Sequence, residues 1–455
     1  MKKFCFILLS WLSSLNLWAL NPTGTLPVVY INTQNKLTVS DTETQLPMTI
    51  YIDSVTPEYH SLGSQQAPLS GTIKGRGNWT WSGFDKKPYK IKLDVKQKIL
   101  GMPNNRHWCL LACADDFLGF LKMPAGCKIS KALDMRWTPR FRPVELVING
   151  QYKGLYFLTE HVRIASNRVH IHEQADYETH PDSITGGWLV EIDNYRSEGN
   201  IEFREGNGQF VMVSLKEPEL LSSAQRTYIE QQLLQLNADL YDLSSHLEQH
   251  LDMNEAARYY LVQEIMEDCE SYHGSCYLYK DRDSLGRMDP WKFGPVWDFG
   301  NAYNRHQETW IYVNPTWPQY WIGQLAQWPE FQQAVQEQWW IFYHTQKDSV
   351  RAEIRTLADR IEQAAIRDAE LWRNTSNYCD NSNYSDVRDR FFRRYDWRIQ
   401  WLYDQWGEGI QPATWNIETP SSDPSVTKSR KVLQNGQLLI ENNGRKYTIL
   451  GQKLQ

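Results

Sequence analysis

The segment Gly294-Pro295-Val296-Trp297-Asp298-Phe299-Gly300 ends an apolar run with one carboxylate, Asp298, and a glycine two residues later lets the backbone turn away. A carboxylate delivered there offers hard oxygen to a divalent cation. It would serve equally as a strand-end aspartate closing a turn, so its chemistry depends on what else converges on it. Three more acids, Glu267, Asp268 and Glu270, end a helical stretch. Acids at a helix C-terminus oppose its dipole, a cost borne where a cation or a proton transfer needs them. Glu191 and Asp193 lie two apart on an apolar strand, on one face, as a metal or base pair. His170 and His172 also share a face, without an evident third ligand.

Cations stand in two motifs. Lys74-Gly75-Arg76-Gly77-Asn78 sets two glycines around an arginine, which permits close backbone approach to an anion or simply ends a strand in a turn. In Lys86-Lys87-Pro88-Tyr89-Lys90-Ile91-Lys92, Lys90 and Lys92 share one strand face, either in solvent or aimed at phosphates. Glu160 follows the apolar strand Leu155 to Thr159 and is placed either to orient a phosphate-binding lysine or to make a surface ion pair.

These residues need elements to hold them. The first half reads as strands: 26–32, 48–53, 71–74, 89–93, 144–148, 155–159, 188–192 and 210–215, with Asn149-Gly150 as a hairpin turn. A helix is expected over 115–132. In the second half the apolar spacing becomes helical over 222–250, 254–266, 329–371 and 387–406, with a strand at 276–279 between. Arg388, Arg390, Arg393 and Arg394 read as a solvated helix face. Residues 407–431 read as a linker, with a Pro/Ser-rich centre, and 432–455 as a small β-meander around Asn435-Gly436 and Asn443-Gly444.

With 455 residues, a formal charge of -6 and no sustained basic stripe evident in sequence, the chain does not read as a nucleic-acid binder. Lys2 and Lys3 before an apolar run, with Ala19 as the small residue, predict a cleaved signal peptide over 1–20 and a periplasmic, cell-surface or secreted protein. No later stretch reads as a membrane span. Six cysteines remain beyond that leader, and an even number in an exported chain predicts disulfides, with Cys109–Cys127, Cys109–Cys113 and Cys269–Cys276 as local pairs. Twenty tryptophans keep a glycan-binding surface in view beside a plain aromatic core.

Taken in order from Leu26 to Trp406, the motifs Lys-Gly-Arg-Gly-Asn, Lys-Pro-Tyr-Lys-Ile-Lys, Gly-Leu-Tyr-Phe-Leu-Thr-Glu, Tyr-Leu-Tyr-Lys-Asp and Gly-Pro-Val-Trp-Asp-Phe resemble the spore coat protein H (CotH) kinase family. The tail resembles the short C-terminal extensions of exported Bacteroidetes proteins. The resemblance implies an α+β, atypical and divergent protein-kinase-like fold, β-rich over 26–215 and mainly helical over 222–406. It implies ATP and Mg²⁺ or Mn²⁺ as cofactors, and phosphoryl transfer to Ser residues of secreted or coat proteins. Asp298 would hold the metal. Glu270, where the family has Asp, would act as base or second metal ligand. Arg76, Lys90, Lys92, Glu160 and Trp297 would serve the nucleotide. Gly300 and Trp79 depart from the family, where an acid and Ser are usual. Two other readings remain: a non-catalytic surface-binding protein on the same scaffold, and a metal-dependent hydrolase built on Asp298, Glu191 and Asp193.

Overall fold

Alternating branched apolar and polar residues build seven strands in the first half of the chain: β1 (Val28–Thr33), β2 (Leu46–Asp53), β3 (Leu69–Gly75), β4 (Tyr89–Ile99), β5 (Met102–Leu111), β6 (Phe141–Ile148) and β7 (Gln151–Glu160). The computed structural model describes residues 20–413 except 196–198, 207, 305–307 and 314–319, together with 430–434, 437–442 and 445–448. The strands close a barrel in the order β1-β2-β3-β4-β5-β7-β6, with β1 parallel to β6 at the seam. Val29, Ile31, Ile50, Ile73, Ile91, Trp108, Leu146 and Leu158 point inward and fill it. Asn149 and Gly150 both take positive φ, as a two-residue hairpin turn between β6 and β7 requires. β5 was not expected, because Pro103 to Arg106 mask its first half; it forms because β4 runs on to Ile99 and pairs with it.

A second sheet follows, in the order β12-β11-β8-β10-β9, from β8 (Trp188–Ile192), β9 (Ile201–Arg204), β10 (Phe210–Glu217), β11 (Cys276–Lys280) and β12 (Lys292–Phe293). The helices are α1 (Trp79–Ser82), α2 (Lys122–Ala132), α3 (Ser223–Tyr241), α4 (Leu247–His250), α5 (Met253–Met266), α6 (Ile322–Leu325), α7 (Pro329–Ile341), α8 (Lys347–Trp372) and α9 (Tyr384–Trp406). Helix α5 packs on α2, α7 and α9, and α8 packs on β7. A second core, separate from the barrel interior, joins the second sheet, the larger helices and outward side chains of β5 and β7 such as Leu111, Leu155 and Phe157. The architecture is therefore mixed α+β, sheet-rich first and helical later.

Three expected helices are cut differently. Residues 115–121 form a turn, because Gly119 and Phe120 adopt positive φ and only Lys122 onward is helical. Ser222 caps α3 in a reciprocal box with Gln225, but the chain leaves the helix at Asp242, which is extended. A π-type turn at Phe342–Gln346 divides the stretch expected as one helix into α7 and α8.

The expected disulfides are not formed. The six cysteines among the described residues are free thiols. Cys276 sits within hydrogen-bonding reach of the Tyr259 hydroxyl, whereas the Cys269 thiol faces the Asn301 carbonyl at 4.0 Å. The two therefore face different partners. Among the described residues no helix is long and apolar enough to cross a membrane.

The chain divides into two compact units after Ile410. The C-terminal unit contains the antiparallel strands β13 (Arg430–Gln434), β14 (Gln437–Asn442) and β15 (Arg445–Thr448). The leader, the Pro/Ser-rich linker and both Asn-Gly turns of the tail lie outside the described residues.

Candidate active site

A cavity of about 990 Å³ opens where the β3–α1 loop, the end of β5, strands β8 and β10 and the segment after β12 meet. That is the upper end of the range for small-molecule sites. Asp298 projects into it. β12 ends at Phe293; Val296 and Trp297 are buried, Asp298 turns outward at φ 57, and Phe299 is again buried. Aspartate tolerates this left-handed backbone better than most residues. The Gly300 amide donates to Asp298 Oδ1 at 3.2 Å and closes the turn. Phe299 anchors it from behind, its ring lying flat on α2 at Gly126, where a Cβ would come within 2.2 Å of Cζ.

Glu270 reaches the same space from the turn after α5. It accepts from Asn194 Nδ2 at 3.0 Å and from Asn301 Nδ2. Burial, then the negative charge of Asp298, push its carboxyl up to about 7. Of the three acids at this helix end only Glu270 lines the cavity; Glu267 and Asp268 are buried away from it.

A third carboxylate was hidden in sequence by the helix expected over 115–132. Asp115 follows β5 on the turn before α2 and lines the cavity. Burial is the largest cause pushing it up to about 6; Lys122 opposes, and Asp298 and Asp116 add to the rise. A Cβ on Gly300 would meet Asp115 Oδ2 at 2.6 Å and Asp298 Oδ1 at 3.3 Å. The space of an acidic side chain at position 300 is thus already claimed by Asp115. The signal was present: Asp115 and Asp116 follow the apolar Leu110-Leu111-Ala112, just as Asp298 follows its own apolar run. Asp116 has a structural task, accepting from the amides of Leu118 at 2.8 Å and Lys122 at 2.9 Å. Lys122 then ties α2 to the Asp298 loop, donating to Gly300 O at 2.7 Å and Asn304 Oδ1 at 3.1 Å.

Cations line the same cavity. Arg76 stacks on the Trp297 ring at 5.5 Å, and both line the wall. Lys216 of β10 lies 2.5 Å from Glu191 Oε2 and 3.8 Å from Asp193 Oδ2, and all three face the cavity. No motif pointed to Lys216. Glu191 and Asp193 do share a face, as their spacing predicts, but they orient a lysine. Trp79 and Tyr195 stand at the cavity with 59% and 50% of their surface exposed.

Three expected nucleotide-side residues lie elsewhere. Lys90 and Lys92 do not line the cavity: they stand on the outward face of β4, beyond Pro88, which does. Glu160 is fully buried at the end of β7. It pairs with Arg168 at 2.6 Å and Arg140 at 3.4 Å, and so orients no cavity-facing lysine. Two buried lysines do line the cavity, Lys86 and Lys122, and Lys86 is paired with Asp368 of α8 at 2.8 Å rather than with Glu160. His172 pairs with Asp281 at 2.8 Å.

The donor set fits a hard divalent cation. Asp298, Asp115 and Glu270 supply only carboxylate oxygen. Among the described residues no three His, Cys, Asp or Glu side chains are already gathered around one point. Magnesium does not need that, since it takes one or two carboxylates together with substrate phosphate oxygens and water.

No curated protein matches this chain. The family model described as CotH kinase protein matches residues 73–402, a span that includes the cavity wall from Arg76 to Asn301. The chain belongs to the CotH kinase protein family.

Proposed function

We propose that this protein is an atypical protein kinase of the cell envelope or exterior, transferring the ATP γ-phosphate to Ser or Thr of extracytoplasmic proteins with a divalent metal. One observation carries the reading: the acids Asp298, Asp115 and Glu270 and the cations Arg76 and Lys216 line one nucleotide-sized cavity. Phosphoryl transfer asks mainly for positioning and charge neutralisation, which these groups provide. Asp298 and Asp115 would hold the cation, which when bound would neutralise phosphate charge. Arg76 and Lys216 take phosphate oxygens, with Glu191 fixing the ammonium. Glu270, held near neutrality, accepts the proton of the attacking hydroxyl as the oxygen bonds to phosphorus and ADP leaves. Exported placement rests on the predicted leader.

The test is incubation with labelled ATP, Mg²⁺ or Mn²⁺ and an envelope extract, with Asp298→Ala as control. Incorporation that needs Asp298 is expected; label persisting in the Asp298→Ala protein refutes the assignment. The exposed rings of Trp79 and Tyr195 favour a second reading, a non-catalytic surface-binding protein on the same scaffold. Absence of calorimetric heat with Mg²⁺-ATP at millimolar concentration would select it.

A further inference from the structure

Register places Lys74 of β3 opposite Lys90 of β4, and Lys92 of β4 opposite Thr72 and His107. Cross-strand partners share a face. Since Ile73, Ile91 and Trp108 fill the barrel, Lys74, Lys90 and Lys92 stand on its outside. Among the described residues these lysines make no ion pair and no hydrogen bond through their side chains, and the Arg76 guanidinium likewise has no acid partner. Lys90 is nonetheless half-buried beside Lys74 and Arg76, with Cys109 beneath and Glu219 as the nearby acid. Of the other acids near this face, Glu217 is drawn to Arg163 at 3.7 Å, and Asp94 lies further along β4. Unpaired like charges held side by side are unfavourable without an anion between them. The row leads to the cavity, because Arg76 is both its last cation and part of the cavity wall.

We propose that this outer face of β3 and β4 docks an acidic, extended segment of the acceptor polypeptide, which leads into the cavity past Arg76. The identity of the partner as acceptor rests on the phosphotransfer reading; the docking surface does not. Lysines two apart on a strand are about 7 Å apart, which is also the spacing of alternate side chains in an extended peptide. A nucleic acid fits less well. The strand neighbours on this face are Thr72, His107 and Cys109, with no Trp, Tyr or Phe on which a base would stack, and the chain as a whole carries -6.

The experiment is fluorescence anisotropy of a labelled peptide alternating glutamate and serine, without nucleotide, on the full chain and on Lys74→Glu/Lys92→Glu. Both side chains reach solvent, so folding is retained and is checked by circular dichroism. Binding at about 50 mM salt should weaken roughly tenfold or more in the variant, and in the wild type as salt approaches about 0.5 M. A matched glutamine peptide should not bind. Equal affinity of the two proteins for the acidic peptide overturns the proposal, as does tighter binding of a single-stranded oligonucleotide than of the peptide. Mg²⁺-ATP calorimetry on both proteins separates the two readings. Nucleotide affinity should be equal; its loss in the variant returns the lysines to the phosphate site and overturns the docking surface. If neither protein binds nucleotide, the kinase reading fails while the peptide result still decides the docking.

Discussion

Substituting Gly126→Ala should disable the site from behind without touching any group that meets substrate. The new Cβ would lie 2.2, 2.3 and 2.5 Å from three carbons of the Phe299 ring. Ordinary carbon contacts begin near 3.5 Å, so the ring or the helix must retreat by about 1.3 Å. Phe299 is 1% exposed and bonded directly to Asp298, so the displacement passes to the carboxylate. Overpacking of this kind costs about 1–3 kcal/mol. In a chain this long, with unfolding entropy of about 2 cal/mol/K per residue, each kcal/mol moves the melting temperature by only roughly 1 °C. Urea unfolding is therefore the better stability assay. Activity should respond far more, because an ångström of misplacement costs about 10²-fold. Metal-dependent nucleotide binding and phosphorylation should fall together. Adding Phe299→Leu, which removes the ring, should recover stability but not activity. Unchanged phosphorylation in Gly126→Ala would refute the claim that Phe299 on α2 sets the position of Asp298.

Two further outcomes follow from the charges. Asp368→Ala should cost about 3–5 kcal/mol in urea unfolding, because it leaves Lys86 buried and unpaired, and it also strips the Leu155 amide and the Tyr378 hydroxyl of their acceptor; adding Lys86→Met should return much of the loss. Glu270 and Asp115 are raised to about 7 and about 6, so the stability they contribute is present below the usual carboxylate range and lost as pH rises through those values. A cation on Asp298 and Asp115 displaces the Asp115 proton and favours the charged form of Glu270 nearby, so Mn²⁺ affinity should rise between pH about 5.5 and 7.5, with proton release in calorimetry, and Glu270→Gln should flatten the upper part of that dependence.

Much of the site was legible because its signals are local. Asp298 and Glu270 each lie in the turn that follows an element, and the residues around them state that exit. The hairpin at Asn149-Gly150 and the strand at 188–192 were legible for the same reason: a turn dipeptide and a short apolar run state their own conformation. The alternation in the first half and the longer period in the second are local as well, and they carry the α+β division.

Tertiary structure alone decided which charges meet. Lys90 looked suited to phosphate and Glu160 to orienting a phosphate-binding lysine, yet Lys90 stands on the outer face of the barrel and Glu160 pairs with Arg168, eight residues on and on no common element. Lys216 and Glu191 are 25 positions apart and meet because β10 lies beside β8. Asp115 faces Asp298 across Gly300 because α2 is tied to the Asp298 loop through Lys122 and Phe299. Local sequence decides what a residue can do and how the chain enters and leaves it. Which oppositely charged or metal-binding partner it finds depends on long-range packing, and no window of neighbouring residues contains that information.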